Sequence, residues 1–314
     1  MTSRIRVVVL GGSALGVLIA VTHVTYRQPD PKQAADLFAI MRDTLEAEDG
    51  DGMVPHVFPD PRFEASFLGY LFRDPSGQAW AAEAGSYPVG FGCSVVRGKT
   101  RWLVFLYVLP EFQGRGVGGE LYDRCMRGWQ GTAATMVDAS SPAATALYMH
   151  RGLLPQVCVS SLRSSLPFEG PGDGPALRRQ PGEGEERIAA LDAEVWGGGR
   201  PFDHAFWRAH GFTFRTAWDE AGGFLGYAYW APTGCLGPVA ATSQDGAVRI
   251  VESACREMDA AGLVPVTALV PASNRACLVW MLNHGFRPQG MEIAMSNGPF
   301  GDWSRCLVHR AGLP

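Results

Sequence analysis

The segment LVFLYVLPEFQGRGVGGELYDRCMRG, residues 103–128, decides the fold of the first half of this chain, because it joins an apolar strand, a glycine-rich turn and a helix start. Leu103 to Leu109 is an almost unbroken apolar run that ends at Pro110, which is typical of a strand buried on both faces. The glycines within residues 113–119 let the backbone turn sharply and approach a ligand closely. Helical spacing resumes at Glu120. A helix that starts from such a turn directs unpaired N–H groups and its positive dipole end at one point, so the segment predicts a pyrophosphate site.

The spacing of these glycines argues against the two commoner phosphate-binding loops. A P-loop needs GxxxxGK followed by Ser or Thr, and a Rossmann turn needs GxGxxG with an acidic residue about 20 residues further on. No Lys follows the glycines here, and Gly114-x-Gly116-x-Gly118 fits neither pattern. The arrangement VxPxxQGRGVG instead resembles the acetyl-CoA signature of the GCN5-related N-acetyltransferase (GNAT) family, which is Gln/Arg-x-x-Gly-x-Gly/Ala after a strand.

This resemblance implies that acetyl-CoA binds at the end of the strand and along the turn, as a cosubstrate and without a metal. The binding residues that it implies are Leu106, Tyr107, Val108, Gln113, Gly114, Arg115, Gly116, Val117, Gly118 and Gly119, with Ser141 and Ala144 of a second motif.

That second motif, Ser141 to Leu153, resembles the other fingerprint of the family, in which a strand ends at Asn, a short helix follows, and Tyr precedes a Gly-aromatic step by four residues. Ser141 stands where Asn is usual and Leu153 where Phe is usual. Ser can also cap a helix, so we expect the same geometry. The resemblance implies that Tyr148 is the general acid that protonates the departing CoA thiolate, which a phenol with a pKa of about 10 permits. The alternative is that its ring only packs against the strand.

Length, charge and cysteine content limit the function classes. At 314 residues the chain fits two domains, and 46% hydrophobic residues supply an ample core. The formal net charge of -4 offers no basic surface, which argues against a nucleic-acid partner. The seven cysteines are odd in number and scattered, so they predict neither a disulfide framework nor a zinc site, and they are typical of small buried residues in a cytoplasmic protein.

The N-terminus leaves three alternatives open. Arg4 and Arg6 precede an apolar run from Val7 to Val21, which is 15 residues long and shorter than the roughly 20 that span a bilayer. Residues 1–23 are therefore interpreted as an extension before the true start, a membrane anchor or signal, or an extra packed element. Membrane association is possible but not favoured, because acetyl-CoA is a cytosolic cosubstrate.

A weak internal repeat of roughly 150 residues predicts the domain organisation. In the first half, Trp80 to Glu83, Val89 to Val95 and Trp102 to Leu109 predict an antiparallel meander that leads into the glycine turn. Phe63 to Phe72 is either a short helix or an extended piece, and Ala133 to Val137 is predicted to run parallel to the strand before the turn, since a helix joins them.

Residues 166–186 are rich in Pro and Gly and mark a linker into the second half. After it the pattern of helix, hairpin, helix (Val248 to Ala261) and apolar strand recurs, and Asn274 to Phe286 resembles the Asn-to-Gly-Phe fingerprint more fully than the first copy does. The expected fold is α/β (α+β), with two tandem GNAT-like domains, each a mixed and mostly antiparallel sheet flanked by helices. The limits are an extension at 1–23, a catalytic domain at 24–165, a linker at 166–175 and a degenerate domain at 176–314.

The second half lacks the groups that the chemistry needs. The segment before its helix, residues 235–247, has no Gln-x-x-Gly-x-Gly turn, and Met281 occupies the Tyr position. A thioether cannot donate a proton, and a turn without these glycines does not wrap a pyrophosphate. We therefore expect one acyl-CoA site, in the first half, with the second half supplying acceptor-binding surface.

The predicted reaction is transfer of an acetyl group from acetyl-CoA to a primary amine of a small molecule, by direct attack in a ternary complex. The general base stays open, because Trp102 to Leu109 contains no carboxylate or His. Asp138, Glu83, an ordered water or a group of the second half are the alternatives, while Asp203-His204 is interpreted as a surface pair or a satisfied His. The competing function is a non-catalytic acyl-CoA-binding or interaction protein.

Overall fold

The computed structural model describes residues 23–49, 61–164, 168, 176–178 and 184–310. The predicted extension and linker therefore lie outside the described residues, except for His23 and Phe168. The chain divides into two compact units, one formed by residues 1–95 and 105–128 and the other by residues 96–104 and 129–314. This division differs from the predicted domains at 24–165 and 176–314. Those domain limits therefore stay a prediction.

The first unit contains the predicted antiparallel meander and the helices around it. Strand β2 pairs with β1 on one side and with β3 on the other, both antiparallel, and β4 follows β3 in the sheet. The elements are β1 (Val24–Arg27), α1 (Ala34–Asp49), α2 (Pro61–Arg73), β2 (Gln78–Ala84), β3 (Tyr87–Arg97), the second half of β4 (Thr100–Val108) and α3 (Val117–Cys125). The segment that the sequence left open between helix and extended chain is α2, whose Phe67, Leu68 and Leu71 are buried at helical spacing.

The second unit holds the rest of the secondary structure. Its strands follow the order β4-β5-β12-β6-β11-β10-β9-β8-β7, and β13 pairs with β10. The elements are β5 (Thr132–Asp138), α4 (Pro142–Met149), β6 (Leu154–Ser164), β7 (Ala176–Arg178), α5 (Glu185–Val195), α6 (Pro201–Ala209), β8 (Thr213–Trp218), β9 (Phe224–Trp230), β10 (Cys235–Ala241), α7 (Gln244–Ala260), β11 (Val266–Pro271), α8 (Arg275–Asn283), β12 (Arg287–Ser296) and β13 (Cys306–Leu307).

Most strand pairs are antiparallel, and β4 with β5 is one of the parallel pairs. Their register runs from Thr100 opposite Thr132 to Leu103 opposite Thr135. This confirms the prediction that the strand after the glycine turn returns parallel to the strand before it, since helix α3 makes the crossover. A mixed, mostly antiparallel sheet flanked by helices is thus the observed fold class.

Strand β12 gives the second unit an arrangement that the sequence did not reveal. It comes from the second half of the sequence, yet it pairs antiparallel with both β5 and β6, which come from the first half. Ile293 is opposite Val137 on one side and Cys158 on the other. Strand β6 in turn pairs with β11 on its other edge. The two halves of the sequence therefore share one hydrogen-bonded set of strands within this unit.

Strand β10 and helix α6 of the second half were also missed, each for a local reason. Strand β10 contains Gly237-Pro238, a pair that reads as a turn from sequence. Helix α6 mixes charged and aromatic residues and is only nine residues long. By contrast, the predicted helix near residues 248–261 is α7, and its apolar face, with Ile250, Val251 and Met258, is fully buried.

The cysteines are all free thiols, and five of the seven are buried, as expected of small core residues. Cys158 is exposed and Cys235 is half-buried, so the expectation is wrong for these two. Within the described ranges, no helix is long and apolar enough to cross a membrane.

The position of β12 predicts that a charge in its buried C-terminal part is not tolerated. Ala294 has no exposed surface and lies between Met136 of β5 and Val157 of β6. Replacing Ala294 with Glu buries an unpaired carboxylate between two strands, so we expect a loss of at least about 3 kcal/mol in the free energy of unfolding. Urea unfolding measures it, with Gln289→Glu at the exposed end of the same strand as the control. Equal stability of the two variants would contradict the observed register.

Candidate active site

The glycine-rich turn is anchored at both ends by buried groups of the first unit. Strand β4 ends at Val108, which is buried, and its carbonyl oxygen accepts hydrogen bonds from Gln113 Nε2 at 3.0 Å and from Thr44 Oγ1 at 3.4 Å. On the other side, Val117 and Leu121 of α3 pack in the same apolar cluster as Val108. The predicted Gln113 therefore fixes the turn through its side chain, while residues 113–116 themselves are exposed.

Gly114 and Gly116 have the backbone conformation that the sequence predicts for a phosphate loop. Their φ angles are +69° and +83°, where residues with a side chain are strained. A Cβ atom added at either position would meet no protein atom within 4 Å. The glycines are thus required by the backbone conformation and leave open space in front of the turn.

The start of α3 offers N–H groups to that space. Its first backbone hydrogen bond joins Glu120 N–H to Gly116 O at 3.0 Å. The N–H groups of Val117, Gly118 and Gly119 consequently have no partner inside the helix. Gly116 is the N-cap residue and has no side chain to cap them. This arrangement suits an anion, which the helix dipole also favours.

Leu106 and Tyr107, the other residues of β4 that are predicted to contact acetyl-CoA, are more exposed than Val108. Leu106 and Tyr107 are half-buried, and the Tyr107 ring stacks on Phe91 with centroids 5.9 Å apart. Arg115 is exposed and places its guanidinium 5.7 Å from the Phe112 ring centroid.

The second motif, with Ser141, Ala144 and Tyr148, lies in the second unit. Ser141 occupies the N-cap position of α4 but its side chain makes no capping hydrogen bond, so the expectation that it caps the helix is wrong. Ala144 is half-buried on the same helix. Tyr148 is buried, and its carbonyl oxygen accepts the N–H of Leu153 at 3.0 Å, which closes the helix end.

The copy of this motif in the second half is better formed. Asn274 is fully buried, its Oδ1 accepts the N–H of Cys277 at 3.3 Å, and its Nδ2 donates to the Cys306 carbonyl at 3.1 Å. Met281 and Phe286 are also fully buried. The Asn side chain thus ties α8 to β13, and the residue at the Tyr position only fills the core.

The helix after β10 shows why the second half has no phosphate turn. Its N-cap residue is Ser243, whose Oγ accepts the N–H of Gly246 at 3.0 Å. A protein oxygen therefore stands at the helix start where α3 has only a glycine.

The family profile described as "Acetyltransferase (GNAT) family" matches residues 36–153 of this sequence. The protein therefore contains a stretch of sequence typical of GNAT acetyltransferases. Its fold is similar to that of a protein from Pyrococcus horikoshii described as a candidate acetyltransferase, at 18% identity and a TM-score of 0.72, over 96% of this chain and 99% of the other. No curated protein matches the sequence significantly.

Two further solved structures share the GNAT fold over nearly their full lengths. A GCN5-related N-acetyltransferase from Sphaerobacter thermophilus aligns at 18% identity and a TM-score of 0.63, over 90% of this chain and 98% of that one. A tandem GNAT protein from the clavulanic acid biosynthesis pathway aligns at 15% identity and a TM-score of 0.62, over 88% and 99%. At these identities the likeness establishes the fold alone.

The two carboxylates considered from sequence as the general base are engaged by neighbouring residues. Glu83 accepts hydrogen bonds from Arg27, with Nε to Oε1 at 2.9 Å. Asp138 Oδ1 accepts from both the N–H and the hydroxyl of Ser140, at 2.7 and 2.6 Å. One oxygen of each carboxylate thus already accepts hydrogen bonds from a neighbouring residue.

A carboxyl that the sequence did not single out lies beside Asp138. Glu292 of β12 is directly opposite Asp138 of β5. Asp138 in turn precedes Ser141, the N-cap residue of α4, by three residues. Burial, and then the negative charge of Asp138, raise the pKa of the Glu292 carboxyl from 4.5 to about 7. Sequence reasoning missed it because the partner strands of β12 are not evident from the sequence.

Asp203 and His204 do not form the surface pair considered from sequence, because both are buried. His204 is a satisfied histidine, with Nε2 2.8 Å from Asp192 Oδ2 and Nδ1 2.9 Å from the Tyr229 hydroxyl. Tyr227 and Tyr229 are fully buried, so these β9 aromatics pack as ordinary strand residues. In the residues that the structure describes, no cluster of three His, Cys, Asp or Glu side chains is placed to hold a metal ion.

The two copies of the Asn motif predict opposite sensitivities to alanine. Asn274→Ala removes a buried cap and leaves the Cys306 carbonyl without its side-chain donor, so we expect a loss of about 2–3 kcal/mol in the free energy of unfolding. Ser141→Ala removes no capping bond and should cost under about 0.5 kcal/mol. Chemical unfolding of both variants, with the wild type, gives the comparison. A larger loss in the Ser141 variant would contradict these contacts.

Proposed function

We propose that this protein is an acyl-CoA-dependent N-acyltransferase that moves an acetyl group from acetyl-CoA to a primary amine of a small molecule. The open, positive-φ glycine turn before α3 is the observation that carries this proposal, because it combines unpaired N–H groups with empty space. The match of residues 36–153 to the acetyltransferase profile supports acyl transfer as the reaction class. The cosubstrate is cytosolic, so the cytoplasm is the proposed location.

Acetyl-CoA is proposed to bind through its pyrophosphate at the start of α3. The N–H groups of Val117, Gly118 and Gly119 supply donors, and their fixed direction means that no reorganisation is needed on binding. Backbone N–H groups near Val108 are the proposed donors to the thioester carbonyl. A donor of this kind, aimed at the oxyanion of the transition state, is worth about 3 kcal/mol.

Two side chains of the second unit are proposed to move the protons. Tyr148 serves as the general acid that protonates the CoA thiolate. Glu292 serves as the general base that accepts the amine proton, directly or through water. A carboxyl with a pKa near 7 suits this role, because it is partly ionised at neutral pH and still basic enough to take a proton. Glu292 lies opposite the last residue of β5, and Tyr148 lies on α4, the helix that follows β5.

A non-catalytic acyl-CoA-binding protein is the second candidate. It is favoured by the absence of any carboxylate or His in residues 102–109 and by Ser141, which lacks the capping bond of Asn274. Calorimetric titration with acetyl-CoA, followed by a thiol-release assay over a panel of primary amines, separates the two. Binding with amine-dependent thiol release supports the enzyme, and binding without release from any amine supports the second candidate.

The glycine turn predicts a single CoA site that one methyl group can block. We expect the wild type to bind one acetyl-CoA per chain. Gly116→Ala adds a Cβ where the pyrophosphate is proposed to lie, so this variant should bind acetyl-CoA at least tenfold more weakly. Gly128→Ala is a matched control, because Gly128 also has a positive φ, +73°, and open space around its Cβ position. Both substitutions introduce the same backbone strain of about 1–2 kcal/mol, but only Gly116→Ala should weaken acetyl-CoA binding. Two sites per chain, or equal affinities, would refute this site.

The two proposed proton carriers predict separable effects on kcat at saturating amine. Tyr148→Phe should lower kcat by roughly 100-fold and keep the pH profile, because the base is intact. Glu292→Gln should lower kcat and also remove the fall in rate below about pH 7, since that fall reports protonation of the base. Exposed Glu220→Gln is the control. An unchanged acidic limb in the Glu292 variant would exclude Glu292 as the base.

Stability provides a check on Glu292 that does not need turnover. Because its pKa is higher in the folded state than in the unfolded state, the unfolded chain loses this proton first as pH rises. The wild type should therefore lose stability between about pH 4.5 and pH 7, and the loss should then stop. The Tm of Glu292→Gln minus that of the wild type should grow across this window and stay constant above it.

A further inference from the structure

Two arginines face each other on neighbouring strands of the second unit, and the proposed reaction does not use them. Arg163 of β6 is directly opposite Arg287 of β12. Arg163 is half-buried and Arg287 is exposed, so solvent reaches both side chains. Side chains directly opposite each other in an antiparallel pair have Cβ atoms about 5 Å apart, and two like charges at this separation destabilise the sheet.

The charges of these arginines are not balanced by an acidic partner in the part of the chain that the structure describes. Arg163 makes no hydrogen bond or ion pair there, and the Arg287 guanidinium donates through Nη1 to the carbonyl oxygen of its neighbour Phe286 at 2.9 Å. Strands β6, β11 and β12 contain a single carboxylate, Glu292. An anion bound between the two guanidinium groups would remove their repulsion and make charge-assisted hydrogen bonds with both.

The strand register places Glu292 on the same face of the sheet as the arginines. Val159, Ser161 and Arg163 alternate along β6 and therefore share one face. Val159 is opposite Glu292, just as Arg163 is opposite Arg287. A β-bulge in β12 lies between these two pairs and takes up the extra residue on that strand, while β6 pairs regularly with β11 over the same stretch.

The surface between the two ends carries little side-chain bulk. Gly290 is opposite Ser161, between the two pairs. Gly290 is exposed, and a Cβ added to it would meet no protein atom within 4 Å. The positions of Val159 and Arg163 are four residues apart on β6, which is about 13 Å in an extended strand. A small extended molecule can therefore lie along this path.

The two ends of the path attract groups of opposite charge. Glu292 and Asp138, which are opposite each other, attract the ammonium form in which an amine arrives. Arg163 and Arg287 attract an anion and repel a second ammonium group. This distribution of charge favours an acceptor with a cation at one end and an anion at the other, and it disfavours a diamine.

We propose that the amine acceptor is a small zwitterion, whose carboxylate or phosphate binds to Arg163 and Arg287 while its primary amine lies at Glu292. The guanidinium fork matches the paired oxygens of either anion. The assignment rests on the proposed function, because it takes Glu292 as the base, and it names the class of acceptor for that same site.

The test measures thiol release from acetyl-CoA by the full chain with acceptors of matched length. These are 8-aminooctanoate, 8-aminooctyl phosphate, octylamine and 1,8-diaminooctane, and the first two distinguish the two kinds of anion. At least one of the two anionic acceptors should exceed octylamine in kcat/KM by about tenfold or more, the effect of a hydrogen bond between charged groups. The diamine should be poorer than octylamine. Equal kcat/KM for octylamine and both anionic acceptors would overturn the assignment.

Substitution locates the anion-binding end. Arg163→Gln and Arg287→Gln should each raise KM for the preferred anionic acceptor by about tenfold, while kcat and the KM for octylamine stay unchanged. Arg275→Gln is the control, because it removes the same charge from an exposed position at the start of α8. Arg287 is also exposed, so its variant keeps the test decisive if the Arg163 variant does not fold. An unchanged KM for the anionic acceptor in the folded Arg287 variant would overturn the assignment.

Binding measurements separate this assignment from the proposed reaction. Calorimetry with CoA present, which has no acetyl group to transfer, gives the affinities of the anionic acceptors and of octylamine. Tighter binding of an anionic acceptor that Arg287→Gln abolishes, without thiol release from any amine, would refute acyl transfer and support the binding site. Thiol release with no preference for an anionic acceptor would support acyl transfer and overturn the binding site.

Discussion

The pairing of β12 with both β5 and β6 is the interaction on which the rest of the second unit depends. It supplies hydrogen bonds to two edges at once, and the last three residues of the strand, Ala294 to Ser296, are buried. Without it, β5 and β6 would each present an unpaired edge, which promotes aggregation. The first half of the sequence is therefore not expected to be soluble alone, although its motifs are complete. For that reason, point substitutions and not truncations are the appropriate tests of each half.

The sequence predicted those parts of the fold whose interactions join residues close together in the chain. The strand, turn and helix of residues 103–128 were predictable because their signals are local: an apolar run, glycines at positions that need positive φ, and helical spacing. The parallel return to β5 followed from the chirality and length of a helical crossover. The insertion of β12 had no such signal, since Arg287-Pro-Gln-Gly at its start is exposed and polar. Pairing between strands more than 100 residues apart depends on the complete sheet and is not encoded in any local pattern.

The candidate site shows the same distinction. The backbone conformation of Gly114 and Gly116 was predicted correctly from spacing, because only glycine fits there. The capping role of Ser141 was predicted from residue type and is wrong, since the side chain makes no bond to the helix start. Glu292 could not be found at all, because its relevance comes from lying opposite Asp138 and not from its own neighbours in sequence. Residue type predicts what a side chain can do, but burial and then the charge of the partner across the sheet determine its pKa.

The same strand pairing suggests a reason why a second half with a degenerate motif is retained. Its helix α7 is capped by Ser243, and Met281 is a core residue, so neither feature serves a cosubstrate. Strand β12, however, places the Glu292 carboxyl at the end of β5, where burial and then the charge of Asp138 raise its pKa toward neutrality. A first half that lacks an acid or base on the strand before the turn can then obtain one from the second half. If Glu292 is the base, as proposed, the last long strand of the second half serves both the sheet and the proton transfer, and this role needs no cosubstrate site in the second half.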